Sequence, residues 1–452
     1  MKNFVYLFIC FTFLITSAYA QDPGKPKAND ILSEDNEVVK KLKEENPKFT
    51  EAPGTKIEVQ KKRGNEKKIE GSYIVTVKDE FIKPFAKTRG RSSSRKAEIA
   101  AANKHEAQAR KAIREYATKT LGIGNDEIGE IFTGAISGFV VKLKDKKKGP
   151  KFQDDAKKEN NIQDVIQDAE VSLADYSMGG VISASSAKAV AQYNSWGTWV
   201  AGGCDCTGYS KWIWILDTGI DLNHPDLNVN TSYDKSFIST ESSAEDLHGH
   251  GTHVAGIAAA KNNSYGSRGI AYGARVVPVK VLNRYGSGSW SGIIAGLNWA
   301  YKYGIAGDVV NMSLGGGANS TVDNAVKAVA AKGIYVVMAA GNSSANANNH
   351  SPARANGSKM YTIAATSPSP FWWSHTFASY SNYGKPPVDF AAPGTSIYST
   401  YKNGGYATMS GTSMATPNFS GALLCGTKLK KGYYYYHVNP SSHSLYVIRP
   451  KT

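Results

Sequence analysis

Apolar and polar positions are arranged in two different ways along this chain of 452 residues. Gly71 to Val77 (GSYIVTV) sets β-branched and aromatic residues after a Gly, which predicts a strand. Residues 95–121 are Ala-rich with mixed charge, which predicts a helix. Ile131 to Leu143 (IFTGAISGFVVKL) predicts two strands around a Gly/Ser turn, and Asn160 to Val171 a helix running into a strand. Together these elements make a small α+β unit.

Beyond residue 180 the runs become more continuously apolar. Trp212 to Leu216, Arg275 to Val281, Val309 to Met312 and Tyr335 to Met338 read as buried strands. Thr252 to Ala260, Trp290 to Tyr301 and Thr321 to Ala331 read as helices between them. Such alternation predicts an α/β unit, a parallel sheet with helices on both faces. In such sheets functional residues gather at the carboxyl ends of the strands.

Charge divides the chain at the same point. Residues 21–180 carry 32 Lys/Arg and 27 Asp/Glu, and residues 181–452 carry 20 and 11. This fall in density is read as a domain boundary. At the N-terminus, Lys2, the apolar run Phe4 to Ile15 and Ala18-Tyr19-Ala20 have the pattern of a cleavable export signal. The run is too short to span a membrane. An exported protein without a membrane partner is therefore expected. The expected organisation is a signal (1–20), a charged linker (21–69), a small α+β domain (70–176) and the α/β domain (177–452).

The net charge of +15 raises nucleic acid as a partner. Glu98, Glu106 and Glu115 interleave with the basic residues of the predicted helix, however, and favour an ordinary solvated face. No nucleic-acid motif appears. Without Cys10 in the signal, Cys204, Cys206 and Cys425 remain. One disulfide with one free thiol and three small buried residues are both open readings. A lone C-x-C has too few nearby ligands for a metal site.

Four residues then stand out. Asp217 directly follows the strand WIWIL, where a carboxylate can be held to orient a neighbour. His250 lies in HGHGTHVAG at the start of a predicted helix, suited to a mobile acid/base. His248 and His253 are read as structural, because an H-E-x-x-H spacing for zinc is absent. Ser413, in SGTSMATP, can direct its hydroxyl and its own N–H at one point. Asn342 follows the strand YVVMAAG and offers a side-chain amide donor. Taken singly, each has an ordinary reading as a cap, turn or core residue.

Jointly, ILDTGID, HGHGTHVAG, AAGN and SGTSMATP resemble the motifs of subtilisin-like serine proteases (peptidase S8), with the proteinase K subgroup nearest. The order Asp, His, Ser separates them from α/β-hydrolases. The resemblance covers roughly residues 190–425 and includes VNMSLGGG and DFAAPGTSI. It implies a subtilisin-like three-layer fold and an Asp217–His250–Ser413 triad. Asn342 would serve the oxyanion. Ser313-Leu314-Gly315 and Ala339-Ala340-Gly341 would wall the S1 pocket, the first of them also pairing with substrate as a strand. Gly286-Ser287-Gly288 would form the opposite edge, with Trp290 in an apolar pocket further out.

Residues 70–176, with YIVTVKDEF and GFVVKL, resemble the family's inhibitor I9-type propeptide, which would act as intramolecular inhibitor and folding aid. The other partners implied are protein and peptide substrates, for a secreted monomer. Catalysis needs no cofactor. Asp389 matches a position that binds structural calcium in some relatives. No Asp or Glu lies between Asp323 and Asp389, so an apolar or aromatic P1 residue is expected. Self-cleavage is expected within residues 172–192. Two departures stand out: Asn418-Phe419-Ser420-Gly421 replaces the family's usual His-Val-Ala-Gly, and the tail carries Tyr433 to Tyr436. A catalytically silent relative that binds or inhibits is the alternative.

Overall fold

The computed structural model describes residues 58–60, 67–85, 95–173, 176–178, 181–183, 191–368, 375–426 and 446–447. The signal-like leader and Tyr433–Tyr436 lie outside these residues. So do several positions of the expected cleavage window.

The large sheet runs, in spatial order, Lys235–Ser236, Arg275–Lys280, Ile213–Asp217, Val309–Met312, Tyr335–Ala339, Met360–Pro368, Val388–Pro393 and Tyr446–Val447. Every neighbouring pair along this path is parallel. The predicted strands and helices of this half all form, each within a few residues of its expected bounds. Their near-continuous apolarity follows from burial on both faces. In the Asp217 strand, Trp214 and Leu216 enter one core and Ile213 and Ile215 the other, as the twofold period of a strand requires. The helix Trp290–Tyr303 packs its Ile293, Ile294 and Leu297 in the first core. The helices His250–Ala259 and Thr412–Leu424 lie in the second, represented by Val254, Ala258 and Phe419.

The α+β unit forms an antiparallel sheet in the order Ile162–Ser172, Lys68–Val77, Ser137–Lys142, Ile128–Thr133. Ile113 and Ala117 of the helix Arg95–Lys119 share a core with Val75, Phe139 and Val165 of this sheet. Two expectations are corrected here. Ile162–Ser172 is one long strand with no helical start, the nearest helix being Gly149–Ala156. Its i, i+3 apolar spacing (Ile162, Val165) fits a helix, but pairing with Lys68–Val77 decides the conformation. Residues Glu58–Gln60, read as solvated linker, pair antiparallel with Tyr176–Met178.

The sheet of the smaller unit continues onto the larger one, because Ile162–Ser172 also pairs with Ser287–Ser289. Cys204 is bonded to Cys425, at the C-cap of the Ser413 helix. Cys206 is a buried free thiol with Sγ 3.1 Å from Cys204 Sγ, and burial pushes it up to about 11.

Candidate active site

Three strand ends and two helix starts converge. Asp217 is the last residue of its strand and fully buried. Its Oδ1 accepts from His250 Nδ1 and from the Thr218 N–H, each at 2.7 Å. His250 opens its helix and is also fully buried. The close approach of that helix start depends on Gly251, where a Cβ would fall 2.0 Å from the Gly219 carbonyl oxygen.

Asp246 locks the two elements together. Its Oδ1 accepts from Thr218 Oγ1 and the His248 and Gly249 N–H groups, and its Oδ2 from the N–H and hydroxyl of Thr252. Thr218 Oγ1 accepts in turn from the Gly251 N–H. Asp246 was not singled out from the sequence. Its one signal is an acid four residues before the central His of HGHGTH, where turn carboxylates commonly bind nearby N–H groups.

His253, with its Nε2 at 3.1 and 3.0 Å from the Ile397 and Ala407 carbonyls, is a structural residue held down to about 3 by burial. His248 stands 3.2 Å from Tyr176 Oη, and burial with the neighbouring His250 holds it down to about 4. The three histidines do not converge on one point for a metal.

Ser413 is the second residue of the helix Thr412–Leu424. Its Oγ donates to the Ser313 carbonyl at 3.1 Å, and Ser313 Oγ donates to the Ser413 carbonyl at 2.8 Å. His250 Nε2 is buried and has no hydrogen-bond partner. Behind Ser413, Asn418 Nδ2 donates to the Pro393 and Met414 carbonyls, which is how the departure in the Asn418 motif is accommodated. Asn342 Oδ1 accepts from the Thr412 N–H (2.8 Å) and hydroxyl (2.7 Å), which orients the amide. A Cβ on Gly411 would lie 3.2 Å from Asn342 Nδ2 and 3.7 Å from Ser413 N, so both donors border the space that this glycine leaves open.

Beside them is a pocket of about 420 Å³, its open mouth included. Leu314, Gly315, Ala339, Ala340 and Gly341 line it together with Asn342 and Ser413. Ser313 sits beneath, bonded to Ser413. Gly341 has φ +104°, and a Cβ there would meet Asn382 Nδ2 at 2.4 Å. Asn382 in turn binds the Ala340 carbonyl and the Ser343 and Ala345 N–H groups, shaping this wall. Asn382 and His350, which also lines the pocket, carried no sequence signal.

Gly286-Ser287-Gly288 meet the end of the smaller unit's long strand. Ser172 pairs with Ser287, Val171 with Gly288, and the Leu173 N–H donates to the Gly286 carbonyl. Trp290 is 1% exposed in the same apolar cluster as Val171 and Leu173. On the far side Ser177 pairs with Ser410, and the Tyr176 ring lies 5.6 Å from that of His250. Leu173 and Tyr176 are thus held at Gly286 and beside His250 respectively.

The subtilase family model (peptidase S8) matches residues 211–437. Subtilisin Savinase of Lederbergia lenta is 43% identical over 217 residues, which are 48% of this chain and 76% of that protein. An extracellular serine proteinase of Thermus sp. (strain Rt41A) is 35% identical over 327 residues, 69% of this chain and 71% of its own. The crystal structure of a cold adapted subtilisin-like serine proteinase aligns with 55% of this chain and 92% of its own, at 32% identity and TM-score 0.47. The chain belongs to the subtilase family and is a subtilisin-like serine endopeptidase.

Proposed function

We propose that this chain is a secreted zymogen whose catalytic groups are Asp217, His250 and Ser413. The observation that carries the reading is the buried 2.7 Å pair of His250 Nδ1 with Asp217 Oδ1, opposite the helix start that bears Ser413. Ser413 Oγ turns from the Ser313 carbonyl to His250 Nε2 and attacks the scissile carbonyl. His250 accepts the proton and returns it to the leaving amine, while Asp217 holds the tautomer and stabilises the imidazolium. Asn342 Nδ2 and the Ser413 N–H receive the oxyanion. Replacing Asn342 by Leu should lower kcat about 10²–10³-fold with KM little changed, a magnitude established on subtilisin itself. Steady-state kinetics on one peptide measures it.

The silent-relative alternative draws on the hydroxyl's bond to Ser313. A fluorophosphonate probe separates the two readings. Labelling that is lost in Ser413→Ala supports the enzyme, and failure of the mature wild type to label removes it.

The α+β unit is the inhibitory prosegment in this reading. Its last strand enters the groove at Ser287–Ser289 and leaves past His250, as a bound peptide would. This narrows self-cleavage to the bonds between Leu173 and Ser177. N-terminal sequencing of the secreted product tests it, and a mature terminus outside that stretch counts against it. The absence of an acidic side chain from the pocket lining supports an apolar P1 residue.

Catalysis as proposed uses no cofactor. For structural calcium, Asp389 brings one carboxylate whose Oδ2 accepts from the Thr362 N–H, and burial pushes it up to about 6. A second candidate is a set of four oxygens around the Gln192 side-chain amide, which would hold a hard cation once that amide turns its Oε1 inward. The Asp226 carboxyl beside it is likewise pushed up by burial, to about 7. Gln192 Nε2 lies 2.9 Å from Lys261 O, 3.3 Å from Asn263 Oδ1, 3.4 Å from Tyr265 O and 3.3 Å from Ser267 O. The Asp226 carboxylate borders it through Asn263 Nδ2 and the Ser267 N–H. Bound there, calcium would act structurally, tying together the loop 261–267, Asp226 and Gln192. Chelation should lower the Tm by roughly 5–10 °C from that at calcium near 100 Kd, and Asp226→Asn should abolish the difference. Calorimetry with and without chelator measures it.

A further inference from the structure

His248, two residues before His250, takes no part in the proposed proton transfers, yet it is firmly held. Its N–H donates to Asp246 Oδ1 at 2.9 Å, and its carbonyl accepts from Tyr401 Oη at 3.0 Å. Its ring Nδ1 accepts from the His250 N–H at 3.3 Å. All three partners belong to the larger unit, so main chain and ring are fixed without help from the smaller one.

These bonds set the tautomer. Burial, with His250 beside it, holds the imidazole down to about 4 although Asp246 and Asp217 pull the other way. The ring is therefore neutral at neutral pH. A neutral ring that accepts at Nδ1 carries its proton on Nε2. That N–H donates to Tyr176 Oη, 3.2 Å away.

Tyr176 lies in the stretch where the cut is proposed, and its neighbours on both sides are paired. Upstream, the Leu173 N–H donates to the Gly286 carbonyl, and a Cβ on Gly286 would lie 3.4 Å from His248 Nε2. The imidazole thus stands where that edge ends. Downstream, Ser177 pairs with Ser410 and Met178 with Met409, on the strand that leads into the Ser413 helix. The Tyr176 ring lies 5.6 Å from that of His250, the group that returns a proton to the leaving amine. Tyr176 therefore goes with the half of the stretch that carries the new amine.

We propose that His248 is a specificity-determining residue, a hydrogen-bond donor that selects tyrosine over phenylalanine shortly after the scissile bond. In the precursor Tyr176 fills this subsite. Cleavage frees that end, and a substrate tyrosine takes its place. A phenylalanine ring would pack against the two imidazoles equally well but would leave the Nε2–H covered and unpaired. The inference deepens the reading of Ser413 and His250 as the reacting pair and of the cut between Leu173 and Ser177, and rests on it.

The test gives mature enzyme the synthetic peptide of residues 168–180, DAEVSLADYSMGG, and its twin with Tyr176→Phe, at pH ~8 where His250 is a free base. Mass spectrometry should place the cut before Tyr176. The Tyr peptide should have a kcat/KM about fivefold above that of its twin, the worth of one neutral hydrogen bond. In His248→Phe, which keeps a ring and removes the donor, the ratio should fall to about one. In His248→Gln, which keeps a side-chain N–H, part of the preference should return. A wild-type enzyme that cuts both peptides equally fast overturns the inference, whether or not the variants fold. A cut after Tyr176 overturns it, as does a preference that survives in His248→Phe. Digestion of casein with neither peptide cut also overturns it. Failure on casein as well removes the reading of Ser413 beneath it.

Discussion

Ser413→Ala should be secreted at full precursor length and should lack activity beyond a residual rate. Two losses are expected from one atom. The first is turnover, by about 10⁶-fold in kcat, a magnitude established for the serine of subtilisin itself. The second is maturation, because the proposed cut falls between Ser172, paired with Ser287, and Ser177, paired with Ser410, and no second nucleophile is invoked to make it. Fold should be retained. The side chain is small, and what it loses is one hydrogen bond to the Ser313 carbonyl, while Ser313 Oγ keeps its bond to the Ser413 carbonyl. Gel mobility of the purified variant and its circular dichroism measure both points. Conversion of the purified variant to mature size, with no protease added, would count against self-processing.

Asp217→Asn should be nearly as damaging for a different reason. Asp217 Oδ1 accepts two hydrogen bonds at once, from His250 Nδ1 and the Thr218 N–H. An amide keeps one acceptor. With its oxygen left at Oδ1 both bonds survive, but the neutral amide no longer stabilises the imidazolium and its NH₂ is buried without a partner. With the amide turned over, NH₂ faces Nδ1 and requires that nitrogen to be an acceptor. The ring proton then sits on Nε2, where a proton must instead be taken from Ser413. The expected loss is about 10⁴-fold in kcat with little change in KM. The Asp246 bonds to Thr218, His248, Gly249 and Thr252 should keep the loop in place, so the stability change should be small beside the kinetic one. Kinetics paired with a thermal melt separates the two. A variant that loses activity only in proportion to folded protein would show Asp217 to be structural.

Much of the architecture was legible before the structure. The run Trp212–Leu216 reads as a buried strand because both of its faces are covered, and Val309–Met312 for the same reason. Ile162–Ser172 was misread at its start, since its local spacing fits a helix as well as a strand and the deciding partner is almost 90 residues away. The functional site was legible in part. Asp217, His250, Asn342 and Ser413 sit in motifs with unusual glycines, and those glycines answer to close approaches such as Gly251 on Gly219 and Gly411 beneath Asn342 Nδ2. Asp246 was only faintly legible, as a turn acid before His248, and Asn382 and His350 were not, because folding alone brings them to the pocket beside Ser413.

The sequence by itself determined the parallel α/β half, the smaller charged unit before it, and the order of the chemistry-bearing motifs, because periodicity and glycine placement are local properties. Only the tertiary structure decided which sulfur pairs with which. Cys204 meets Cys425 across 221 positions, while Cys206, two residues away, stays a thiol. Folding likewise decided that the smaller unit's last strand pairs with Ser287–Ser289 and that His350 lines the pocket beside Ser413. Those outcomes depend on pairing between strands distant in the chain, which no local pattern encodes.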